Sequence, residues 1–247
     1  MRCPAPRMAL DRYRRTGSLL PILRAGLFGT LGLLAACSTE TLFRSSFDAT
    51  PLGQPPAHVQ QVGSANVFGP AGSVVVVSPP PGSSGNWVRI QRANNQQDIA
   101  GMQGVLSQTR GPGQYNFLAA VYMPAGAGLA TIQFEPAYQP PNALLSFLHL
   151  DLTQDNKVRI DDNDATKFGS FPRDQTFDVA VGLDTTVSPP LAHISLLGAN
   201  TSGTTTYTIQ PAYSSLAQQF GAIRLWMGYP WTGAFEATDI SVTHNTQ

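Results

Sequence analysis

Clusters of proline and glycine punctuate this 247-residue chain and leave strand-sized segments between them. The clusters are Pro51-Leu52-Gly53-Gln54-Pro55-Pro56, Pro79 to Gly85, Gly111-Pro112-Gly113, Pro124 to Gly128, Pro140-Pro141, Ser188-Pro189-Pro190 and Gly228-Tyr229-Pro230. Proline lacks the amide donor and clashes with a preceding helical turn, so none of these continues a helix. The segments between them read with a period of two. Val74 to Val77, Trp87 to Arg92, Tyr115 to Met123, Leu144 to Leu152, Lys157 to Asp161 and Phe177 to Asp184 are expected strands, as are Leu191 to Leu197, Thr204 to Ile209, Ala222 to Met227 and Ala234 to Val242. Only Ser214 to Phe220 invites a helix, and a short one. With 23 glycines, 20 prolines and 42% hydrophobic residues, the chain is turn-rich and folded rather than disordered. About ten antiparallel strands without a linker predict an all-β, two-sheet jelly-roll sandwich.

The first 36 residues differ from the rest. Arg2, Arg7, Arg12, Arg14, Arg15 and Arg24 precede the uncharged stretch Ala25 to Ala36, which is too short for a permanent span of roughly 30 Å. A basic flank, a short apolar run and small residues at its end make a secretory signal. Leu34-Ala35-Ala36-Cys37 resembles the lipobox of bacterial lipoproteins. That resemblance implies cleavage before Cys37, diacylation of its sulfur and acylation of the new amino group. An ordinary signal peptide that happens to end at a cysteine is the alternative. Loss of the leader removes Cys3 and leaves Cys37 the only thiol of an exported chain, with no disulfide partner, an oddity that acylation resolves. Several acyl chains at about 0.8 kcal/mol per buried CH₂ hold such a protein on a membrane. Met8 is an alternative start, and Arg14-Arg15 lacks the apolar residue expected next in a twin-arginine signal. Ser38 follows the cysteine in place of an aspartate that would resemble an inner-membrane retention signal, so the expected location is the outer membrane of a Gram-negative cell. The expected organisation is a signal peptide over 1–36, a lipidated tether over 37–45 and the sandwich over 46–247.

The order of elements in the mature chain is itself suggestive. Phe47 to Pro56, the pair Thr176 to Asp184 with Leu191 to Gly198, and the closing pair Ile223 to Gly228 with Phe235 to Val242 resemble concanavalin A-like, laminin G-like domains. The resemblance covers about residues 45 to 244, and it implies a fold rather than a function.

Chemistry-bearing motifs are sparse. Glycosidases with that fold commonly carry Glu-x-Asp-x-x-Glu on one strand, and this chain does not. Its three glutamates, Glu40, Glu135 and Glu236, are far apart, and Glu135 beside Pro136 is expected at a loop edge. Asp151, Asp155, Asp161, Asp162 and Asp164 gather around one predicted hairpin, whose Thr153-Gln154-Asp155-Asn156 turn suits positive φ. Calcium is the one cofactor this cluster suggests, but the Gly and distal Glu of a hand-like loop are missing, and solvated turn residues are the simpler reading. His58, His149, His193 and His244 have no zinc spacing, and the nucleophile elbow, P-loop and dinucleotide fingerprint are absent. A charged fraction of 12%, against about 25% in ordinary globular chains, excludes a basic nucleic-acid arm.

Two groups remain as candidate ligand-binding residues. In Ile223 to Trp231, alternation sets Arg224 and Trp226 opposite Ile223, Leu225 and Met227, with Tyr229 and Trp231 in the following loop. Aromatic faces beside an arginine hold sugar rings or peptide segments. The second group is a polar strand face bearing Phe147, His149 and Asp151, with Arg159 on the paired strand. These residues point to a non-catalytic binding domain for a glycan or an envelope protein. A glycan-cleaving hydrolase or lyase and a ligand-free structural lipoprotein are the alternatives.

Overall fold

A computed structural model describes residues 38–93, 98–137 and 145–246. Cys37, the leader, Pro140-Pro141 and Leu144 lie outside the described residues. The strands are β1 Ser38–Ser45, β2 Ser64–Phe68, β3 Val74–Val77, β4 Trp87–Arg92, β5 Ala100–Val105, β6 Gln114–Tyr122, β7 Ala130–Glu135 and β8 Leu148–Leu152. They continue as β9 Val158–Ile160, β10 Asn163–Phe168, β11 Thr176–Asp184, β12 Leu191–Leu197, β13 Thr204–Thr208, β14 Ala222–Met227 and β15 Gly233–Thr246. A 3₁₀ turn at Pro211–Tyr213 leads into α1, Ser214–Ala217, the one α-helix among the described residues.

Two antiparallel sheets form the sandwich. One has eight strands in the order β13-β12-β11-β6-β15-β4-β3, with β1 added against β15. The other has seven, ordered β10-β9-β8-β7-β14-β5-β2. Inward residues alternate along each strand, for example Phe177, Val179, Val181 and Leu183 from β11 and Ile223, Leu225 and Met227 from β14, and fill one core. Edge-to-face aromatic packing closes one end of it, with Phe220 set 5.2 Å from Tyr115 and 5.6 Å from Phe147.

Several local expectations change. The stretch 38–45, expected as tether, is strand β1, because Leu42 and Phe43 are fully buried and Arg44 pairs with Val62. Burying each apolar side chain stabilises by about 1.5–3 kcal/mol, enough to draw an outwardly polar segment into the sheet. Strands β2, β5, β7 and β10 are additional to those expected. The two strands of the closing pair do not pair with each other: β14 lies between β5 and β7, whereas β15 lies between β4 and β6 in the opposite sheet. Phe147 is not on a polar face; it precedes β8 and packs into the core against Phe220 and Phe134. Glu135 is not at a loop edge but ends β7, fully buried.

Candidate functional site

The seven-stranded sheet turns one face to the core, and its outer face collects most of the chemistry of the chain. Register defines two rows across the strands. Asn66, Gln103, Arg224, Gln133 and His149 form one, on β2, β5, β14, β7 and β8. Phe68, Gly101, Trp226, Thr131, Asp151 and Arg159 form the next. The sandwich therefore brings Arg224 and Trp226 onto the same face as His149, Asp151 and Arg159, which sequence reading had placed in two separate groups. Tyr229 and Trp231 sit beyond this face in the loop between β14 and β15. Tyr229 is 70% exposed and Trp231 half-buried.

An ion pair lies beneath the face. Arg224 Nε is 2.6 Å from Glu135 Oε1, and neither side chain has solvent exposure. Gln103 donates to the other oxygen of Glu135, and Gln133 donates to Oε1 at 3.3 Å. Trp226 Nε1 in turn donates to Gln133 Oε1 at 3.0 Å, which fixes the indole above the network. The Arg224 guanidinium stacks 5.2 Å from the Phe68 ring. Two glycines permit this packing. A Cβ on Gly101 would come within 2.5 Å of Phe68 Cζ and 2.6 Å of Trp226 Cβ, and one on Gly228 within 2.4 Å of Trp226 Cζ3. Burial pushes the Glu135 carboxyl above its ordinary value, while Arg224 and Gln103 oppose that shift.

The second ion pair is at the β8–β9 end. Arg159 donates to Asp151 Oδ2 from Nε at 3.0 Å and from Nη2 at 2.8 Å, and Thr131 donates to Asp151 Oδ1 at 2.7 Å. Burial raises the Asp151 carboxyl, against the hydrogen bonds from Thr131 and Arg159. His149, Asp151 and Asp162 offer ligand atoms within 4.8 Å of one another. Arg159 also donates to Asp162 at 2.9 Å, so its guanidinium already lies on both carboxylates and an entering cation must displace it. The other acids of this hairpin are engaged locally. Asp155 pairs with Lys167 at 3.3 Å, and Asp161 accepts from the His149 amide and the Tyr207 hydroxyl, each at 2.9 Å. Asn156 takes the positive φ of the turn, as its sequence suggests.

Sequence reading missed Gln103, Gln133, Glu135 and Phe68. The signal for three of them was present: in Thr131-Ile132-Gln133-Phe134-Glu135 polar and apolar residues alternate, as do Met102 and Gln103 in β5. The remaining glutamates stand elsewhere, Glu40 on β1 with Arg110 and Glu236 on β15 with Arg89, each at an ion-pair distance of 2.8 and 2.7 Å.

No protein-family model matches this chain, and no curated protein matches its sequence. Solved structures do resemble it. The basic winged bean lectin, in a structure with Tn-antigen, aligns with a TM-score of 0.51 at 11% identity over 85% of this chain and 99% of that one. The lectin UEA-II complexed with galactose gives 0.48 at 8% identity over 85% and 99%, and the endo-1,3-β-glucanase from Streptomyces sioyaensis 0.45 at 14% over 89% and 99%. The likeness to the winged bean lectin shows a shared two-sheet, concanavalin A-like sandwich fold. A fold of this kind hosts unrelated activities, so function must be argued from the face itself.

Proposed function

We propose that this chain is a lipid-anchored envelope protein that binds glycan, without cleaving it, on the outer face of the seven-stranded sheet. The observation that carries the reading is the row in which Phe68 and Trp226 lie level with Asp151 and Arg159, over the Arg224–Glu135 pair. A sugar ring presents C–H groups on one side and hydroxyls at its edge. Half-exposed aromatic rings suit the first, and Arg159, His149 and Asn66, each partly accessible, suit the second. The buried network below holds Trp226 in one orientation, which reduces the ordering cost of binding. The structural likeness to a lectin studied with Tn-antigen agrees with this choice of ligand class.

The two buried carboxylates of the face stand too far apart to act as a glycosidase pair, and the closer pair, Asp151 with Asp162, is already bridged by the Arg159 guanidinium. Asp151 is level with Thr131, four residues from Glu135 along β7, or about 13 Å at roughly 3.3 Å per residue. Paired glycosidase acids stand no more than about 10 Å apart. Both acids are also held by arginines. The Leu34 to Cys37 motif supports acylation at Cys37, and Ser38 after it supports the outer membrane of a Gram-negative cell. Among the described residues no helix is long and apolar enough to cross a membrane.

A glycan array run in parallel with a reducing-sugar release assay tests the reading. Binding without release is expected. Release that disappears in Glu135→Gln or Glu236→Gln would replace the proposal with an enzyme. For the anchor, Cys37→Ser should yield an unprocessed or soluble product, and detergent partitioning equal to the parent would refute acylation.

A further inference from the structure

We infer that the sandwich stands directly on the bilayer surface, with the β1 end against the lipid headgroups and the Tyr229–Trp231 loop outermost. The inference rests on acylation of Cys37. It follows from the length of chain left between the acylated residue and the folded sheet.

Strand β1 opens at Ser38, the residue after Cys37. Thr39 Oγ1 already donates to Asn245 at 2.9 Å, Glu40 is paired with Arg110, and Leu42 and Phe43 are locked in the core. A residue spans at most about 3.6 Å of extended chain, so Cys37 lies within about 7 Å of Thr39. Acyl chains buried in hydrocarbon bring that cysteine to the headgroups, and the start of β1 arrives with it. Only Ser38 intervenes between Cys37 and Thr39, so little chain is left over which the domain could rise from the headgroups.

Register fixes what else shares this end. Asn245 is level with Gln114, and Gln114 with Asp184. The loops beyond these strand ends are joined there by Gly113, just before β6, and Thr185, just after β11, whose amides each donate across, at 2.8 and 3.0 Å. Gln108, Pro112, Thr186 and Ser188 are therefore the groups that face lipid, and Arg110 is neutralised by Glu40. Among the described residues this end carries no basic cluster, so the anchor rather than surface charge sets the contact. At the opposite end Tyr122 is level with Thr176 and Glu236, and Gly233 with Arg92. Gln114 to Tyr122 is nine residues, or eight steps and about 26 Å of strand. The loop bearing Tyr229 and Trp231, which leads into Gly233, thus projects away from the membrane. Because the strands rise from the bilayer, a ligand lying along the row from Phe68 to Arg159 runs parallel to it. That orientation fits a polymer spread over the cell surface.

The test uses the mature lipidated chain in phosphatidylcholine vesicles containing a headgroup quencher. Acylated Cys37 leaves no other thiol, so Gln108→Cys, Thr186→Cys and Tyr229→Cys each accept one fluorophore. Flotation with the vesicles is measured first. Labels at positions 108 and 186 should then be quenched several-fold more than the label at 229. A Gly/Ser linker of about 20 residues inserted after Ser38 should bring the three toward equality. Equal quenching in the parent, or stronger quenching at 229, overturns the inference while acylation stands. Failure to float in the parent overturns acylation and the inference with it.

Discussion

The two sheets turn outward faces of the same alternating pattern to their surroundings, yet they carry different chemistry. Across the eight-stranded sheet one row reads Thr206, His193, Gly182, Asn116 and Thr243, and the next Thr204, Ser195, Ala180, Leu118 and Ser241. These are short side chains that satisfy one another, as in the His193–Thr206 contact at 2.9 Å, or meet solvent. Across the seven-stranded sheet the corresponding rows hold two glutamines, two aromatic rings and two arginines, one paired with Asp151 in its own row and the other with Glu135 in the next. Removing ions from water costs several kcal/mol each, and even a good pair seldom recovers more than that cost. The eight-stranded sheet carries one such pair outward, Arg89 with Glu236 at 2.7 Å, but its arginine is exposed, whereas the Arg224–Glu135 pair has no solvent exposure at all. It is this fully buried pair, with its glutamines, that stability explains poorly and a ligand explains well.

The largest expected effect tests this contrast directly. Arg224→Ala leaves Glu135 buried without its countercharge and should cost about 3–5 kcal/mol in urea denaturation. The double variant Arg224→Met with Glu135→Leu should match or exceed the parent in stability, by up to about 4 kcal/mol, and lose glycan binding. A double variant that binds like the parent would show the pair to be structural only. Trp226→Ala should remove binding at a smaller cost, about 1–2 kcal/mol, because the ring is only half-buried.

His244 provides a control from the other sheet. It is buried on β15 against Tyr115, with ring centroids 4.6 Å apart, and neither ring nitrogen has a hydrogen-bond partner among the described residues. Burial and the nearby Arg110 lower its pKa, although Glu40 opposes them. The native state then takes up its proton less readily than the unfolded chain, so stability falls as pH drops below about 6.5. Glu135 and Asp151, raised by burial, have the opposite sign: the native state holds their protons longer, and their ionisation weakens folding as pH rises. His244→Phe should therefore gain on the parent as pH falls from 7 to 5, on top of a pH-independent gain of on the order of 1 kcal/mol from removing two unsatisfied nitrogens. A difference that stays constant over that range would contradict this assignment. At the small end, Tyr229→Ala and His193→Ala should each change stability by no more than about 0.5 kcal/mol, and His193→Ala should leave binding untouched.

Much of the fold was legible because strands between turns need only local information. The alternation of β14 and β11, the β8–β9 turn at Asn156 and the pairing of Arg159 with Asp151 all follow from short stretches. Strand β1 was hidden because its partner β15 lies at the other end of the chain, and Ser38-Thr39-Glu40-Thr41 has no apolar pattern. Strand β5 was obscured by Gly101 and Gly104, which weaken a strand signal although Gly101 makes room for two aromatic rings. The site was half legible. Arg224 and Trp226 were visible on one strand and His149 and Asp151 on another. Their union was not, since it depends on β7 entering between β14 and β8. Glu135 was misplaced because Pro136 beside it marks a strand end as readily as a loop.

The most direct test reads the face residue by residue. The chain has three tryptophans, each with one indole N–H to follow by NMR: Trp87 is buried in β4, Trp226 lies on the candidate face and Trp231 is in the outer loop. Titration with a glycan retained on the array should move the Trp226 indole resonance and the Arg159 side-chain signal, leaving Trp87 in place. Shifts confined to Trp231, or to Thr206 and His193 on the opposite sheet, would contradict ligand binding on the outer face of the seven-stranded sheet.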